Sequence, residues 1–582
     1  MMEQINMAWN QGLLSDIAFH FCGLISRLEP NSNHELVLAA ALVTENSVLG
    51  KTCLDLNKVA DTLIFGEVKH ASFVAPTINH WLAALRQSSL VGTYEMERPL
   101  VLEDDNRLYL YRYRHLEKRL AASIKIRCEM ADFPIEVNKI EHVLSKIFPS
   151  LEDNSAQRKA AAYAIRKPLT IISGRPGTGK TSTVVYILAL LKALELVEPG
   201  RIALSAPTGK AAIRLRESVR RVSRNILGEG DWMSIEAMTL HRLLGHQRNS
   251  ARSFYGSHRP APFDVVVIDE ASMGGLSLMT HLFESLMPTC RLILLGDHNQ
   301  LSSVDVGTVF KDICDAAQFK PLSDSLIELK KSWRFSKGSH IGRFATAVTN
   351  SDTKSILKIL GDDMQSEVIF REYKSLEQLG KMIEQQCLDS FSDRIDMAIR
   401  CTSPPEMFEA FSKIQLLGVQ KRGIGGVDSL NQIVTRQLFL RGLIPKNESF
   451  YPGQPILITQ NNYDLGLFNG DIGVVLKDAN NGFLQTIFPG TDTSWFPIKN
   501  QLLPPYEQMY AMTVHKAQGS EFERVIIILP LATSPILSRE LLYTAITRAT
   551  RQVEIWGAKP HLYSVIDNDS VDNTNYRNHL FI

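Results

Sequence analysis

Eight consecutive residues, Gly174-Arg175-Pro176-Gly177-Thr178-Gly179-Lys180-Thr181, have the composition and spacing of a phosphate cradle. Glycines let backbone N–H groups turn inward, and the positive end of a following helix favours anionic oxygens. Lys180 is placed to bridge the β- and γ-phosphates of a nucleoside triphosphate, ATP by expectation. The Thr181 hydroxyl is placed to ligate Mg2+, with Ser182 next in the same turn. Asp269-Glu270 follows the apolar run Val265 to Ile268. There Asp269 would hold the metal, and Glu270 would orient and deprotonate the water that attacks the γ-phosphate. Gly296-Asp297-His298-Asn299-Gln300-Leu301 ends the next apolar run and brings Gln300 to the same edge as a γ-phosphate sensor. Arg334, in Lys331-Ser332-Trp333-Arg334-Phe335, and Arg548, in Tyr543-Thr544-Ala545-Ile546-Thr547-Arg548, are candidates for transition-state charge. Taken singly, each reads as a solvated surface arginine. Supplied across a cleft from a second α/β unit, they would couple hydrolysis to closure.

These positions require parallel strands followed by helices. Leu169 to Ile172, Ile202 to Leu204, Val265 to Ile268 and Leu292 to Leu295 are short, apolar and largely β-branched, as strands buried on both faces are. Helical stretches such as Thr183 to Leu196 and Lys210 to Arg221 alternate with them, which predicts an α/β fold. Val525 to Leu529 and Val553 to Trp556 predict a second parallel-sheet core. In residues 1–115, Leu13, Ile17, Phe21 and Leu24 recur at helical spacing, Leu36 to Val43 reads as a buried helix, and Pro99 to Tyr113 as a hairpin. That segment carries no catalytic motif and reads as a small, mainly helical packing or docking domain. Between 447 and 506, Gln454 to Thr459, Asp471 to Leu476, Phe483 to Phe488 and Ser494 to Ile498 predict a small inserted barrel.

The 582 residues suggest three or four globular units. With 63 Lys plus Arg against 62 Asp plus Glu, any basic surface is confined to a groove. Seven cysteines without a C-x-x-C pair predict neither a zinc ribbon nor a disulfide framework and fit a reducing cytoplasm. No apolar run reaches the roughly 18 residues of a membrane span, and MMEQINMAWNQ shows no secretory signal.

The ordered motifs resemble the superfamily 1 helicases. They comprise Gln157, the P-loop, Ala206 to Ala212, Thr239 to Gly245, the Asp269-Glu270 and Gly296-Asp297 boxes, Thr513 to Glu521 and Tyr543 to Arg548. The wording of the Thr239 and Tyr543 boxes and the 115-residue N-terminal segment are similar to the RecD (alpha subunit) branch of the RecBCD exonuclease V enzymes. The resemblance implies two RecA-like P-loop NTPase domains, 116–325 and 326–582, with an SH3-like β-barrel insertion near 447–506. It implies that Gln157 reads adenine, that Gly519 and Glu521 join the nucleotide site, and that Pro207, Thr208, Gly209, Lys210, Thr239, His241, Asn299, Thr513, His515 and Lys516 hold single-stranded DNA. Hydroxyls, imidazoles, ammoniums and backbone amides suit phosphate contacts without base readout. Also implied are 5′→3′ movement, action at duplex DNA ends in recombinational repair, RecB-like and RecC-like partners, and a cytoplasmic, nucleoid-associated location.

Three segments remain open. Residues 246–262 match the place of a strand-separating hairpin in related helicases, or form an idle loop. Residues 421–431 align with a motif of the branch but differ in wording. Glu328-Leu329-Lys330, with Asp312 and Asp315 upstream, has an E-x-K nuclease form, although cutting would belong to a partner subunit in the resembled complex. A free-standing helicase and a scaffold with a decayed ATPase are the competing functions.

Overall fold

The computed structural model describes residues 1–567 apart from 31–32, 66–72, 148–154, 228–234, 236, 247–252, 303–304, 335–338, 361–366, 401–402, 446–448, 463, 479–480, 491–493, 533 and 535. Six strands form the first sheet, all parallel, in the spatial order Leu326–Leu329, Leu169–Gly174, Arg291–Gly296, Val265–Ile268, Ile202–Ala206, Ala237–Thr239. Alternate side chains enter two separate cores. Ile171, Val266, Ile268, Leu292 and Leu294 face one, and Ile172, Leu204, Val265, Val267, Ile293 and Leu295 the other. Burying each such side chain is worth about 1.5–3 kcal/mol, which explains why these strands lack the apolar–polar alternation of a one-faced sheet.

The second sheet is also parallel, in the order Val368–Arg371, Ala549–Trp556, Phe522–Ile528, Ile414–Gly418, Ala511–Thr513. Val525, Ile527 and Ile555 enter one core, and Ile526, Ile528 and Trp556 the opposite one. Both expected parallel cores are therefore present. The strand Leu326–Leu329 corrects the boundary read at 325/326, because it pairs with Leu169–Gly174 and extends the first sheet through Leu329. Likewise, the helix Tyr111–Glu129 runs straight through residue 115. Its Leu116, Leu120 and Ile124 enter the first sheet's core, and Arg127 donates to the carbonyls of Leu286 (2.9 Å) and Cys290 (2.9 Å).

Upstream, the helices Met2–Asn10, Asp16–Leu28, His34–Val48 and Ile78–Gln87 accompany a four-stranded sheet containing the expected Leu100–Leu102/Arg107–Leu110 hairpin. The helical stripe read at Leu13, Ile17, Phe21 and Leu24 is not the buried face. Ile17 is 66% exposed and Leu24 40%, while the smaller Ala18 and Cys22, with Ile25, pack inward. Short side chains allow Asp16–Leu28 to lie close against His34–Val48, and the bulkier row is left outside. Downstream, Trp495–Lys499, Leu484–Pro489, Ile472–Lys477, Pro455–Ile458 and Tyr506–Gln508 make a five-stranded antiparallel sheet in that order. It is inserted between strands of the second sheet, near the expected limits, with 447 and 448 outside the described residues.

No described helix is long and apolar enough to cross a membrane.

Candidate nucleotide cleft and strand-facing loops

In a parallel sheet every strand ends at the same edge, and that edge is where ligands bind. The P-loop follows Leu169–Gly174, and Asp269-Glu270 follows Val265–Ile268. Gly177 (φ +77°) and Gly179 (φ +84°) adopt left-handed backbone. A Cβ at Gly177 would stand 2.3 Å from Cβ of Arg334, and one at Gly179 would stand 2.1 Å from Nε2 of Gln157. Both positions thus need glycine for conformation and for room. Helix Lys180–Ala193 starts at once, and Lys180 Nζ rests on the carbonyls of Gly174 (2.6 Å) and Arg175 (3.4 Å), neutral partners that a phosphate can replace.

A cleft of about 840 Å³ opens above this loop, lined by Gln157, Pro176 to Ser182, Asp269, Glu270, Gln300, Arg334, Gly519, Glu521 and Arg548. Gln157 donates to the carbonyls of Thr178 (3.2 Å) and Gly179 (3.3 Å). Gly174 and Arg175 do not line the cleft. Gly174 lies in the sheet, and Arg175 turns to a neighbouring cavity, where it donates to Thr346. Burial, with the Glu270 charge second, raises Asp269 to about 6, so a nearby cation would restore its ionised form. Two hard oxygen donors, Thr181 and Asp269, with the remaining positions left to water and phosphate, fit magnesium.

Arg548 reaches this cleft from the second α/β unit, and Arg334 from the segment that follows Leu326–Leu329. Arg334 donates to Glu521 and to the Thr547 carbonyl (3.3 Å). Arg548, 3% exposed, donates to the carbonyls of Thr544 (3.2 Å) and Ser520 (3.4 Å). Burial lowers the Arg334 guanidinium's pKa, and Glu521 opposes that. The backbone N–H of Trp333 donates to the Gly177 carbonyl at 2.8 Å, which ties the Arg334 box to the P-loop.

A second seam runs through the Gly296 box. Gln300 Nε2 donates to Asp297 Oδ2 (3.2 Å), and the same oxygen accepts from the Tyr543 hydroxyl (2.9 Å). Leu301 N–H donates to Thr544 Oγ1 (2.8 Å), while Gln518 donates to the Leu301 carbonyl (2.9 Å). Gln300, the Arg548 box and the Thr513 box therefore form one hydrogen-bonded chain across the two α/β units.

The candidate strand-binding residues also lie at the carboxyl ends of parallel strands: Pro207 to Lys210 after Ile202–Ala206, Thr239 ending its strand, Asn299 after Arg291–Gly296, and Thr513 to Lys516 after Ala511–Thr513. Thr208 and Thr239 accept from backbone N–H groups three residues on, at Ala211 (3.2 Å) and Arg242 (3.3 Å), so both act as helix N-caps. Lys516 is paired with Glu507 (2.9 Å), and burial lowers His515. His241 packs near His246 with ring centroids 5.1 Å apart, and burial lowers its pKa, with His246 second. Asn299 contacts His298 Nε2 at 3.1 Å. Lys210 departs from an open strand path. It donates to Ser520 Oγ (2.6 Å) across the domain seam, and burial lowers it to about 7, with Arg214 next and Asp471 opposing.

Residues 421–431 have a structural use. Asn431 exchanges hydrogen bonds with the Ala511 backbone (3.1 and 2.9 Å), holding that strand to helix Val427–Leu440. For the nuclease form, Asp312 is bonded to Thr308 (2.9 Å) and Glu328 pairs with Lys330 (3.7 Å). Among the described residues no group of three His, Cys, Asp or Glu could hold a metal ion. In the 246–262 segment, antiparallel bridges join His246 to Ser253 and Gly256 to Arg259, with 247–252 outside the described residues.

Sequence reasoning missed Arg214 in the cleft wall and the Tyr543–Asp297 bond. A signal for the first exists, since Lys210, Arg214, Glu217 or Ser218, and Arg221 recur at helical spacing. The second depends on an approach between residues 246 apart in the chain and has no local signal.

Residues 10–109 match the RecBCD enzyme subunit RecD N-terminal domain, 157–306 an AAA domain, and 508–555 a UvrD-like helicase C-terminal domain. The RecBCD enzyme subunit RecD of Mycolicibacterium smegmatis is 34% identical over 559 residues, covering 95% of this chain and 94% of that one. This chain belongs to the RecD family. The RecD subunit of Buchnera aphidicola is 30% identical and covers 97% of each chain. The ATP-dependent RecD2 DNA helicase of Deinococcus radiodurans is 30% identical over 76% of this chain but only 54% of that one. Among solved structures, the Pif1 helicase from Bacteroides superposes with a TM-score of 0.38 at 15% identity, over 71% of this chain and 91% of that one.

Proposed function

We propose that this RecD family member is the ATP-driven 5′→3′ DNA motor of a RecBCD-type helicase–nuclease, acting at double-strand ends in the cytoplasm. The observation that carries this reading is the shared cleft. P-loop, acidic pair, γ-phosphate sensor and the two arginines line one space.

Lys180 and the P-loop amides bind the phosphates, Gln157 contacts the adenine side, and Glu270 takes the proton of the attacking water. Thr181 and Asp269 would hold magnesium, which would supply neutralising charge to the phosphates. Arg334 leaves Glu521, and Arg548 leaves its backbone carbonyls, to meet the charge that develops on the transferred phosphoryl group. Because Arg548 belongs to the far wall and the Arg334 guanidinium is bonded to Glu521 and Thr547 of that wall, this exchange closes the cleft, and loss of the γ-phosphate reopens it. The Asp297–Tyr543 and Leu301–Thr544 bonds support transmission of that motion to the loops at Thr208, Thr239 and Thr513. Alternating grip on one strand then gives steps.

The exposed row Leu13, Ile17, Leu24 and Leu28 supports docking of residues 1–115 on a RecC-like subunit, with a RecB-like subunit completing the assembly and carrying the nuclease. The antiparallel sheet near 447–506 reads as an SH3-like module over the strand path, and 246–262 as a strand-separating hairpin. The two RecA-like units run from about 116 through Leu329 and from there to the second sheet's end.

Unwinding of duplexes carrying only a 5′ or only a 3′ tail tests the reading. Unwinding should require the 5′ tail and vanish with Lys180→Gln, while the variant still co-purifies with two large companions in fixed ratio. Wild-type-like unwinding by that variant, or dependence on the 3′ tail, would reject the mechanism.

A further inference from the structure

Arg214, half-buried, and Arg221, exposed, also line the cleft. Arg214 lies in the helix Gly209–Leu227 and lines the nucleotide cleft opposite Ser182 and Tyr186 of helix Lys180–Ala193. Three further cations of the cleft are already hydrogen-bonded. Lys180 is on the Gly174 carbonyl, Arg334 on Glu521 and Thr547, and Arg548 on Thr544 and Ser520. Arg214 is half-buried, and among the described residues its guanidinium makes no hydrogen bond or ion pair. A charge withdrawn from water without a partner is unfavourable, and the imbalance is relieved by an anion with several acceptor oxygens.

We propose that Arg214 is a further phosphate-binding residue, contacting the terminal phosphate of bound nucleoside triphosphate from the same domain as the P-loop. The strongest charged neighbours of Arg214 are Glu521, Arg548 and Glu270, the same three that surround Arg334. Arg214 lines the same cleft as Glu270, Arg334, Glu521 and Arg548. Burial lowers its pKa, with Glu521 opposing. Arg214 differs from Arg334 and Arg548 in its mounting. It stands on a helix that follows its own sheet's strand Ile202–Ala206, so it needs no domain closure to reach the phosphate. Its contribution therefore falls on discrimination of triphosphate from diphosphate in the ground state, whereas that of Arg334 and Arg548 falls on turnover.

The inference rests on the motor reading of the same cleft, and one experiment separates the two. Equilibrium binding of β,γ-imido-ATP and of ADP is measured on the full chain, with magnesium, for wild type, Arg214→Gln and Arg214→Lys. The expected result is a loss of about ten- to a hundredfold in affinity of Arg214→Gln for the imido analogue, with ADP within about twofold, and partial recovery in Arg214→Lys. Unchanged analogue affinity in Arg214→Gln overturns the inference. So does an equal loss for both ligands in both variants, which would mark a packing role. Wild type binding neither ligand would reject the motor reading itself, whereas wild type binding both with no selective loss in the variants rejects only the role of Arg214.

Discussion

The two parallel sheets each carry a glycine-rich loop between a buried strand and a helix, and only one of those two loops has the make-up of a phosphate cradle. In the first, Leu169–Gly174 leads through left-handed Gly177 and Gly179 into Lys180–Ala193. In the second, Ile414–Gly418 leads through left-handed Gly423 and Gly425, then Gly426, into Val427–Leu440. The backbone pattern is alike, yet the surroundings differ. Space beside Gly177 and Gly179 is bounded by Arg334 and Gln157, residues from elsewhere in the chain. Beside Gly426 it is closed by the loop's own Arg422 carbonyl, 2.7 Å from a built Cβ. The first helix opens with Lys180 and Thr181 and no acid in its first turn, whereas the second carries Asp428 there and spends Lys421 on Glu507. An acid at a helix N-terminus takes the place an anion would occupy. A strand–loop–helix unit is thus a mounting, and the charges in one helical turn decide whether it holds phosphate.

The largest effect should come from the cations held at the second sheet's wall. Arg334→Ala and Arg548→Ala should each lower DNA-stimulated ATP turnover by about a thousandfold or more, with nucleotide affinity changed far less. Steady-state kinetics beside equilibrium binding would check this. Turnover that survives either change would mean that the second sheet adds no chemistry and that the contrast between the loops is incomplete.

A matched pair of substitutions sharpens the contrast next. Gly177→Ala drives a methyl group into Arg334 and should cost about a hundredfold in turnover through misplacement of the guanidinium. Gly423→Ala meets only the flexible Gln420 amide at 2.9 Å and should cost about 1–2 kcal/mol of stability from its left-handed backbone, leaving turnover within about twofold. Denaturant midpoints and ATPase rates on both variants read the two effects separately. Comparable losses of turnover would show the second loop to be functional after all.

The smallest effect concerns the seam between the sheets. Burial lowers Lys210 to about 7, below its unfolded value, so between about pH 7 and 10 the unfolded chain binds more protons at this position than the folded chain. The Lys210 contribution to stability therefore rises with pH through that window, and Lys210→Met should flatten the rise. Denaturant unfolding at several pH values measures the slope. An unchanged slope would show that Lys210 stays charged and solvated, available to a nucleic-acid strand rather than committed to Ser520.

Much of the site is legible along the chain because its parts are local. The P-loop is eight residues long, its strand and helix adjoin it, and a run such as Val265 to Ile268 ending in Asp269-Glu270 carries its own meaning. The parallel sheets were legible for the same reason, since strands buried on both faces are uniformly apolar. The spacing at Ile17, Phe21 and Leu24 marked the helix Asp16–Leu28, although Ile17 and Leu24 face outward. Periodicity reports that one helical face differs from the other, and it does not say which face a neighbouring helix will cover. The run Leu326 to Leu329 was too short to declare which sheet it would join.

By itself the sequence determined the nucleotide chemistry, the two-sheet plan and membership in a helicase family, because each is written in short, contiguous patterns. Only the tertiary structure decided that Tyr543 would bond Asp297, that Lys210 would meet Ser520, that Glu521 would hold Arg334, and that Arg214 would line the same cleft as the P-loop. The physical reason is that each of these depends on the free energy of packing two separate sheets against one another. That energy is summed over the whole seam and leaves no mark at the residues it brings together.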